Sequence, residues 1–280
     1  MKTSTRRQYL VEDLLYLMAR LRNPDDGCPW DIKQDYLSIT PSTIEEAYEV
    51  VDAIEQKDYD HLKEELGDLL FQVVFYGQLA KEEDRWQFSD VVHELTAKLI
   101  RRHPHVFPDG TLQSRRETGQ LLTEGDIKAS WENIKQQERG EKGKERLLDD
   151  VPRALPALKR AEKLQKRAAK VGFDWAASIE VVSKLEEEIA ELKSVLNARE
   201  VQANEAAEEL GDVLFSCVNL ARHLKVDSEQ VLRGANLKFE QRFNYIETEL
   251  VARGQTLENA TLADMDALWD QAKKNNQPVR

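Results

Sequence analysis

The sequence predicts an all-α protein made of two tandem copies of one helical module. Apolar residues recur with the 3.6-residue period of amphipathic helices along most of the chain, and period-two strand patterns are nearly absent. An acidic device is written twice. Glu45-Glu46-Ala-Tyr-Glu49 leads to Glu65-Leu-Gly-Asp68, and Glu187-Glu188-Ile-Ala-Glu191 leads to Glu209-Leu-Gly-Asp212. The apolar positions around it match in register: Leu66, Leu69, Leu70, Val73 and Val74 correspond to Leu210, Val213, Leu214, Cys217 and Val218 at a constant shift of 144.

Taken in order, residues 8–22 read as a first helix, ended by Asn23-Pro24. A loop, Asp-Asp-Gly-Cys-Pro-Trp-Asp, follows, in which Cys28-Pro29-Trp30 reads as a tight turn with an aromatic plug. A second helix opens near Thr40-Pro41-Ser42, where Ser42 and Glu45 have the spacing of a capping box. A third covers 61–82 and a fourth 88–102, stopped by Pro104; His103 and His105 beside that proline read as structural. Residues 108–125, rich in Gly, Thr and Ser, read as a flexible loop, and a further helix carries Trp131.

The charged stretch 136–146 contains two glycines and is the best linker candidate. The expected division is a first module over 1–135, a linker over 136–150 and a second module over 151–280. Helices are predicted in the second module at about 156–172, 178–197, 202–225, 228–252 and 262–275. Further features recur in the same order: Lys98 and Arg102 correspond to Lys238 and Arg242, and Trp131 with Lys135 to Trp269 with Lys273.

A formal net charge of −12 argues against general binding to nucleic acid or to an anionic membrane, which needs a basic surface. A small anionic substrate remains compatible, since it needs only a local cluster of cations. The two cysteines, Cys28 and Cys217, make neither a disulfide framework nor a zinc site, and Cys217 on an apolar stripe reads as a buried thiol. The start, Met-Lys-Thr-Ser-Thr-Arg-Arg, does not lead into the apolar core of a secretion signal, and no apolar run has membrane-spanning length. A reducing cytoplasm is the expected compartment.

In each copy, Glu-x-x-Glu and Glu-x-x-Asp put two carboxylates on one helix face. Packed antiparallel, two such helices bring four acids together, and four like charges need a cation among them. An all-oxygen donor set suits Mg²⁺, with Mn²⁺ as a substitute, and Mg²⁺ sites of this kind commonly share substrate phosphates. The candidate ligands are Glu188, Glu191, Glu209 and Asp212, with Glu46, Glu49, Glu65 and Asp68 as a possible second set. The bland alternative is a helical interaction module whose acids are surface charge, but the doubled Glu-Leu-Gly-Asp weakens it. Glycine inside a helix costs about 1 kcal/mol relative to alanine, so Gly67 and Gly211 point to a close approach of a facing helix or to shared ancestry. Lys238 and Arg242 have no acid three or four residues away on their own helix, as expected of cations kept for an anionic partner. Trp269 suits partial packing and stacking on a base. No phosphate loop, no Gly-x-Gly-x-x-Gly and no Glu-x-x-His pair is present.

The acidic pattern, its tandem layout, Gly-Cys-Pro-Trp-Asp at 27–31, Arg-Arg-His-Pro-His-Val-Phe at 101–107 and Val-Gly-Phe-Asp-Trp at 171–175 together resemble the MazG family of the all-α NTP pyrophosphatase superfamily. The resemblance covers nearly the whole chain. It implies two helical bundles of that type, a homodimer, and Mg²⁺-dependent cleavage of NTPs and dNTPs between the α- and β-phosphates. It also implies that the C-terminal module is the active one. Metal ligands then map to Glu188, Glu191, Glu209 and Asp212, and nucleotide contacts to Lys184, Lys238, Arg242 and Trp269. Either Glu187 or a metal-ligating glutamate would take the water's proton. One departure is Glu205, where family members can carry a phosphate-contacting lysine. Here either Lys184 takes more of that contact or phosphate affinity is weaker.

Overall fold

In the computed structural model the described residues are 8–116, 123–127, 130, 131, 134, 138 and 146–275. Lys135, most of the 136–150 linker and residues 117–122 of the 108–125 loop lie outside them, as do residues 1–7 of the chain start. Regular structure among the described residues is helical throughout: α1 (Val11–Leu21), α2 (Pro29–Ile32), α3 (Thr40–Gln56), α4 (Tyr59–Glu82), α5 (Phe88–Arg102), α6 (Ala157–Ala169), α7 (Ser178–Leu196), α8 (Ala203–His223), α9 (Ser228–Ala252), a 3₁₀ turn (Leu257–Asn259) and α10 (Leu262–Asn275). None of them is long and apolar enough to cross a membrane. The chain divides into two compact units, Met1–Gln136 and Gln137–Arg280.

Both units use one plan, in which an acidic helix hairpin is backed by a preceding helix. α3 packs along α4 and α7 along α8, while α1 leans on α4 and α6 on α8. Two sharp connections are built alike. Lys57 turns the chain in the left-handed region (φ 60°) before Asp58, whose side chain accepts from the His61 amide and caps α4. Lys225 does the same (φ 58°) before Asp227, which accepts from the Glu229 and Gln230 amides and caps α9. Each aspartate satisfies amides that a helix start leaves unpaired.

The core of the first unit is apolar, with Met18, Ile39, Val74, Phe75 and Leu79 buried against Leu14, Tyr36 and Phe88. Arg22 locks the end of α1 onto it. Its guanidinium lies 5.2 Å from the Phe75 ring centre, pairs with Glu82 at 2.7 Å and donates to the carbonyls of Asp31 and Gln34. The second unit gathers Ile246, Leu250 and Leu268 with Phe243, Met265 and Trp269 between α9 and α10. Its α6–α8 joint is more polar: Glu162, Gln165, Ser216 and Asn219 are buried, and the Gln165 amide donates to the Phe215 carbonyl.

Four local expectations are corrected. Ser42 makes no capping box, because α3 already begins at Thr40, with Pro41 in its first turn and no side-chain cap. Cys28-Pro29-Trp30 opens the short helix α2, and Trp30 is 61% exposed rather than a plug; Gly27 is what the turn needs, since a Cβ there would sit 2.4 Å from the Asn23 carbonyl oxygen. Cys217 is exposed. Gly67 and Gly211 have open space above them, so no helix among the described residues approaches either. The apolar stripe on which they and Cys217 lie is only partly core: Val74 and Val218 are buried, whereas Leu66, Leu70, Leu210 and Leu214 are exposed.

Asp174 ties the α6–α7 loop to the end of α8, accepting from the Arg222 guanidinium at 2.9 Å and lying 3.0 Å from His223 Nε2. Bonding from Arg222 first, then from His223, holds its carboxyl near a pKa of about 2 in spite of burial. A depressed carboxylate adds stability above its unfolded pKa and loses it as pH falls toward the folded one. The Asp174→Asn variant should therefore be less stable than the parent at pH 7. Thermal denaturation across pH should show the difference shrinking between about 4 and about 2.

Candidate active site

The two acidic hairpins each deliver a carboxylate cluster. On α7 and α8, oxygens of Glu188, Glu209 and Asp212 lie within 4.8 Å of one another, and Glu188 is only 6% exposed. Glu191, one turn along α7, shares a hydrogen bond with Glu188. That bond first, then burial and the charges of Glu188 and Glu209, pushes its carboxyl above the ordinary value. On α3 and α4 the converging set is Glu46, Glu49 and Glu65. Burial and then the charges of Asp68 and Glu49 raise Glu46, while burial and Glu49 raise Glu65. The Glu-x-x-Glu and Glu-x-x-Asp spacings thus bring three acids of each set into one small space and leave the fourth beside them.

Among the described residues, each cluster has a basic side chain beside it. Lys184 Nζ lies 2.8 Å from Glu187 and 2.9 Å from Glu188, and bonding to these two acids pushes its pKa upward. In the first module His61 Nε2 lies 2.6 Å from Glu65. The histidine escaped the sequence reading, although its position four residues before Glu65 on one helix was the available signal. Glu187 is open to solvent and turned toward Lys184.

The remaining expected residues form a second group on α9 and α10. The Arg242 guanidinium sits 5.4 Å from the Trp269 ring centre, an attractive cation–π geometry. Arg242 Nε is buried with no hydrogen-bond partner, and neither Lys238 nor Arg242 forms an ion pair among the described residues. A buried, unanswered guanidinium nitrogen suits a cation waiting for an anion. Two aromatics missed in the sequence complete the group. Phe239 lies 5.3 Å from Trp269 and stacks on Phe243, yet it is 58% exposed; their spacing of four residues was the available cue. In the first module, Leu99 and His103 take those places, and His103 meets Trp131 edge-on at 4.9 Å.

The donor set of both clusters is hard oxygen, and burial together with the neighbouring acids raises carboxyls in each. Both features fit a small divalent cation. The MazG nucleotide pyrophosphohydrolase domain matches this chain twice, over residues 34–107 and 178–246. The matches cover the acidic hairpins and, in the second copy, Lys238 and Arg242. A nucleoside triphosphate pyrophosphohydrolase of Escherichia coli K12 is 47% identical over 264 residues, covering 94% of this chain and 97% of the relative. The nucleoside triphosphate pyrophosphohydrolase/pyrophosphatase MazG of Thermotoga maritima is 42% identical over 268 residues, covering 96% and 97%. An uncharacterised protein of Bacillus subtilis is 42% identical over 93% of this chain and 51% of its own length.

Ionisation of carboxyls raised in this way costs folding stability at neutral pH, and a bound divalent cation restores it. Mg²⁺ at about one hundred times its dissociation constant should stabilise the intact chain by about 2.7 kcal/mol. Glu209→Gln with Asp212→Asn should raise the metal-free melting temperature and remove most of the gain from the second module. Calorimetric scans with Mg²⁺ and with chelator test both effects.

Proposed function

The chain belongs to the MazG nucleotide pyrophosphohydrolase family, and from that premise we propose a Mg²⁺-dependent nucleoside triphosphate pyrophosphohydrolase whose active site is the second module, residues 151–280. The substrates would be NTPs and dNTPs, cut between the α- and β-phosphates to a nucleoside monophosphate and pyrophosphate. The observation that carries this reading is the pairing, in one module, of a carboxylate cluster with the unanswered Arg242 guanidinium beside Trp269.

Glu188, Glu191, Glu209 and Asp212 would hold the metal, which when bound screens phosphate charge and makes a water acidic enough to serve as nucleophile near neutral pH. Lys238 and Arg242 would answer the charge that grows on the departing pyrophosphate, with Arg242 already held against Trp269. Trp269 and the exposed Phe239 offer π faces to the base. Lys184, held by Glu187 and Glu188, stands ready to move onto phosphate once a metal takes over its acids. Glu187, solvent-open beside the cluster, or a metal-ligating glutamate would accept the attacking water's proton. With Glu205 at the position of a family lysine, Lys184 takes the larger share of that phosphate contact.

The first module, residues 1–135, keeps Glu46, Glu49, Glu65 and Asp68 and would bind a divalent cation as a second, non-catalytic site. A homodimer accounts for the exposed stripes of the hairpins. Leu66, Leu70 and Val73 on α4 recur as Leu210, Leu214 and Cys217 on α8, all exposed, beside the open surfaces of Gly67 and Gly211. Contiguous exposed apolar rows of this kind mark contact surfaces, and the glycines leave room for a partner helix.

Anion-exchange chromatography of the products should show monophosphate and pyrophosphate in equal amounts; orthophosphate with a diphosphate would refute the assignment. Glu188→Gln with Glu191→Gln should lower turnover at least about 100-fold, or about 2.7 kcal/mol of barrier. The matching Glu46→Gln with Glu49→Gln should leave most of the activity. Steady-state rates of both double variants, at one Mg²⁺ and substrate concentration, place the site in one module or the other.

A further inference from the structure

α6 is out of keeping with the rest of the chain. In a protein of net charge −12 it carries Lys159, Arg160, Lys163, Lys166 and Arg167 against a single acid, Glu162. Two of these cations lie in its first turn, which has no acid of its own, where the positive end of the helix dipole disfavours them. The duplication provides a control, because the corresponding helix of the first module, α1, has Glu12 and Asp13 in its first turn and one arginine in its last. Packing on the hairpin therefore does not require a basic helix.

Beside α6 lies a cleft of about 350 Å³, walled by Glu162 and Lys166, by Arg222 and Lys225 at the end of α8, and by Asp227 at the start of α9. Its two acids are already answered: Glu162 by Lys159 and Lys166, and Asp227 by Lys159 and the α9 amides it caps. Lys225, by contrast, has no acidic partner among the described residues, nor has Lys163 one turn before Lys166. Next in the chain to Asp227, which walls the cleft, Ser228 Oγ is buried without a hydrogen-bond partner. An uncompensated cation on the wall of a polar cavity of small-ligand size is what an anionic ligand would complete. The cleft is separate from the carboxylate cluster, since ten helical residues from Asp212 to Arg222 span about 15 Å.

We propose that this cleft is a second anion site, specific to the C-terminal module, that takes a metal-free polyphosphate group. That group would be free pyrophosphate or the phosphate tail of a second nucleotide. Identifying pyrophosphate as the natural occupant rests on the proposed reaction; the binding itself does not. Lysines offer point-charge contacts to phosphate, and a ligand seated there bridges α6, α8 and α9, so occupancy reports to the hairpin that carries the acids.

The test is calorimetric titration of the full chain with inorganic pyrophosphate in the presence of chelator, where the uncompensated acids of the metal cluster repel the anion. One saturable site per chain is expected. Lys166→Gln with Lys225→Gln should weaken it at least about tenfold, while Glu209→Gln with Asp212→Asn should leave it intact. Equal affinity for inorganic tripolyphosphate and ATP assigns recognition to the tail, whereas an ATP preference assigns it to a second nucleotide. No saturable heat, or binding unchanged in the lysine variant, overturns the proposal. So does a preference for single-stranded RNA over pyrophosphate. Because metal-dependent turnover is measured separately, failure here is distinct from failure of the proposed activity.

Discussion

Mutual repulsion among carboxylates on a helix hairpin is the constraint around which each module is arranged. Four acids on two helices cannot be brought together by packing alone, so each hairpin is backed by another helix and has a basic side chain set against its acids. The two modules meet the need from different places. The second uses Lys184 on α7, where the first has Ser42 at the matching position; the first uses His61 on α4, where the second has Glu205. Ancestral symmetry is kept in the acids and lost in what balances them. The balancing groups also differ in kind, a permanent ammonium against an imidazole, which gives the copies different electrostatics under one backbone plan.

The difference between the copies extends to the aromatic end. In the second module Phe239 stacks on Phe243 and meets Trp269, the ring beside Arg242, whereas Leu99, His103 and Trp131 occupy the corresponding places in the first. A stacked aromatic surface offers a base more than a leucine and an edge-on histidine do.

Helices and the convergence of acids were legible in the sequence because both follow from periodicity. The expected 88–102, 178–197 and 228–252 match α5, α7 and α9 to within a residue at each end. Exposure was not legible. Cys217, Leu210 and Leu214 satisfy the helical stripe as well as Val218 does, and period alone does not say whether a stripe faces the core or a surface. The Ser42 cap failed because Pro41 suits the first turn of a helix and lets α3 start three residues earlier. Lys184 was expected at the nucleotide, but the structure shows it first as the partner of Glu187 and Glu188, a contact its spacing already allowed.

The backing joints of the two modules differ in a way that reaches beyond the site. α1 is sealed onto α4 by Met18 and Phe75, whereas α6 meets α8 through Glu162, Gln165, Ser216 and Asn219. Apolar contact carries a heat-capacity signature and weakens on cooling, while charged and hydrogen-bonded contact responds to ionic strength. One chain thus joins a cold-sensitive half to a salt-sensitive half, and a change of medium can loosen either backing helix while the other stays seated.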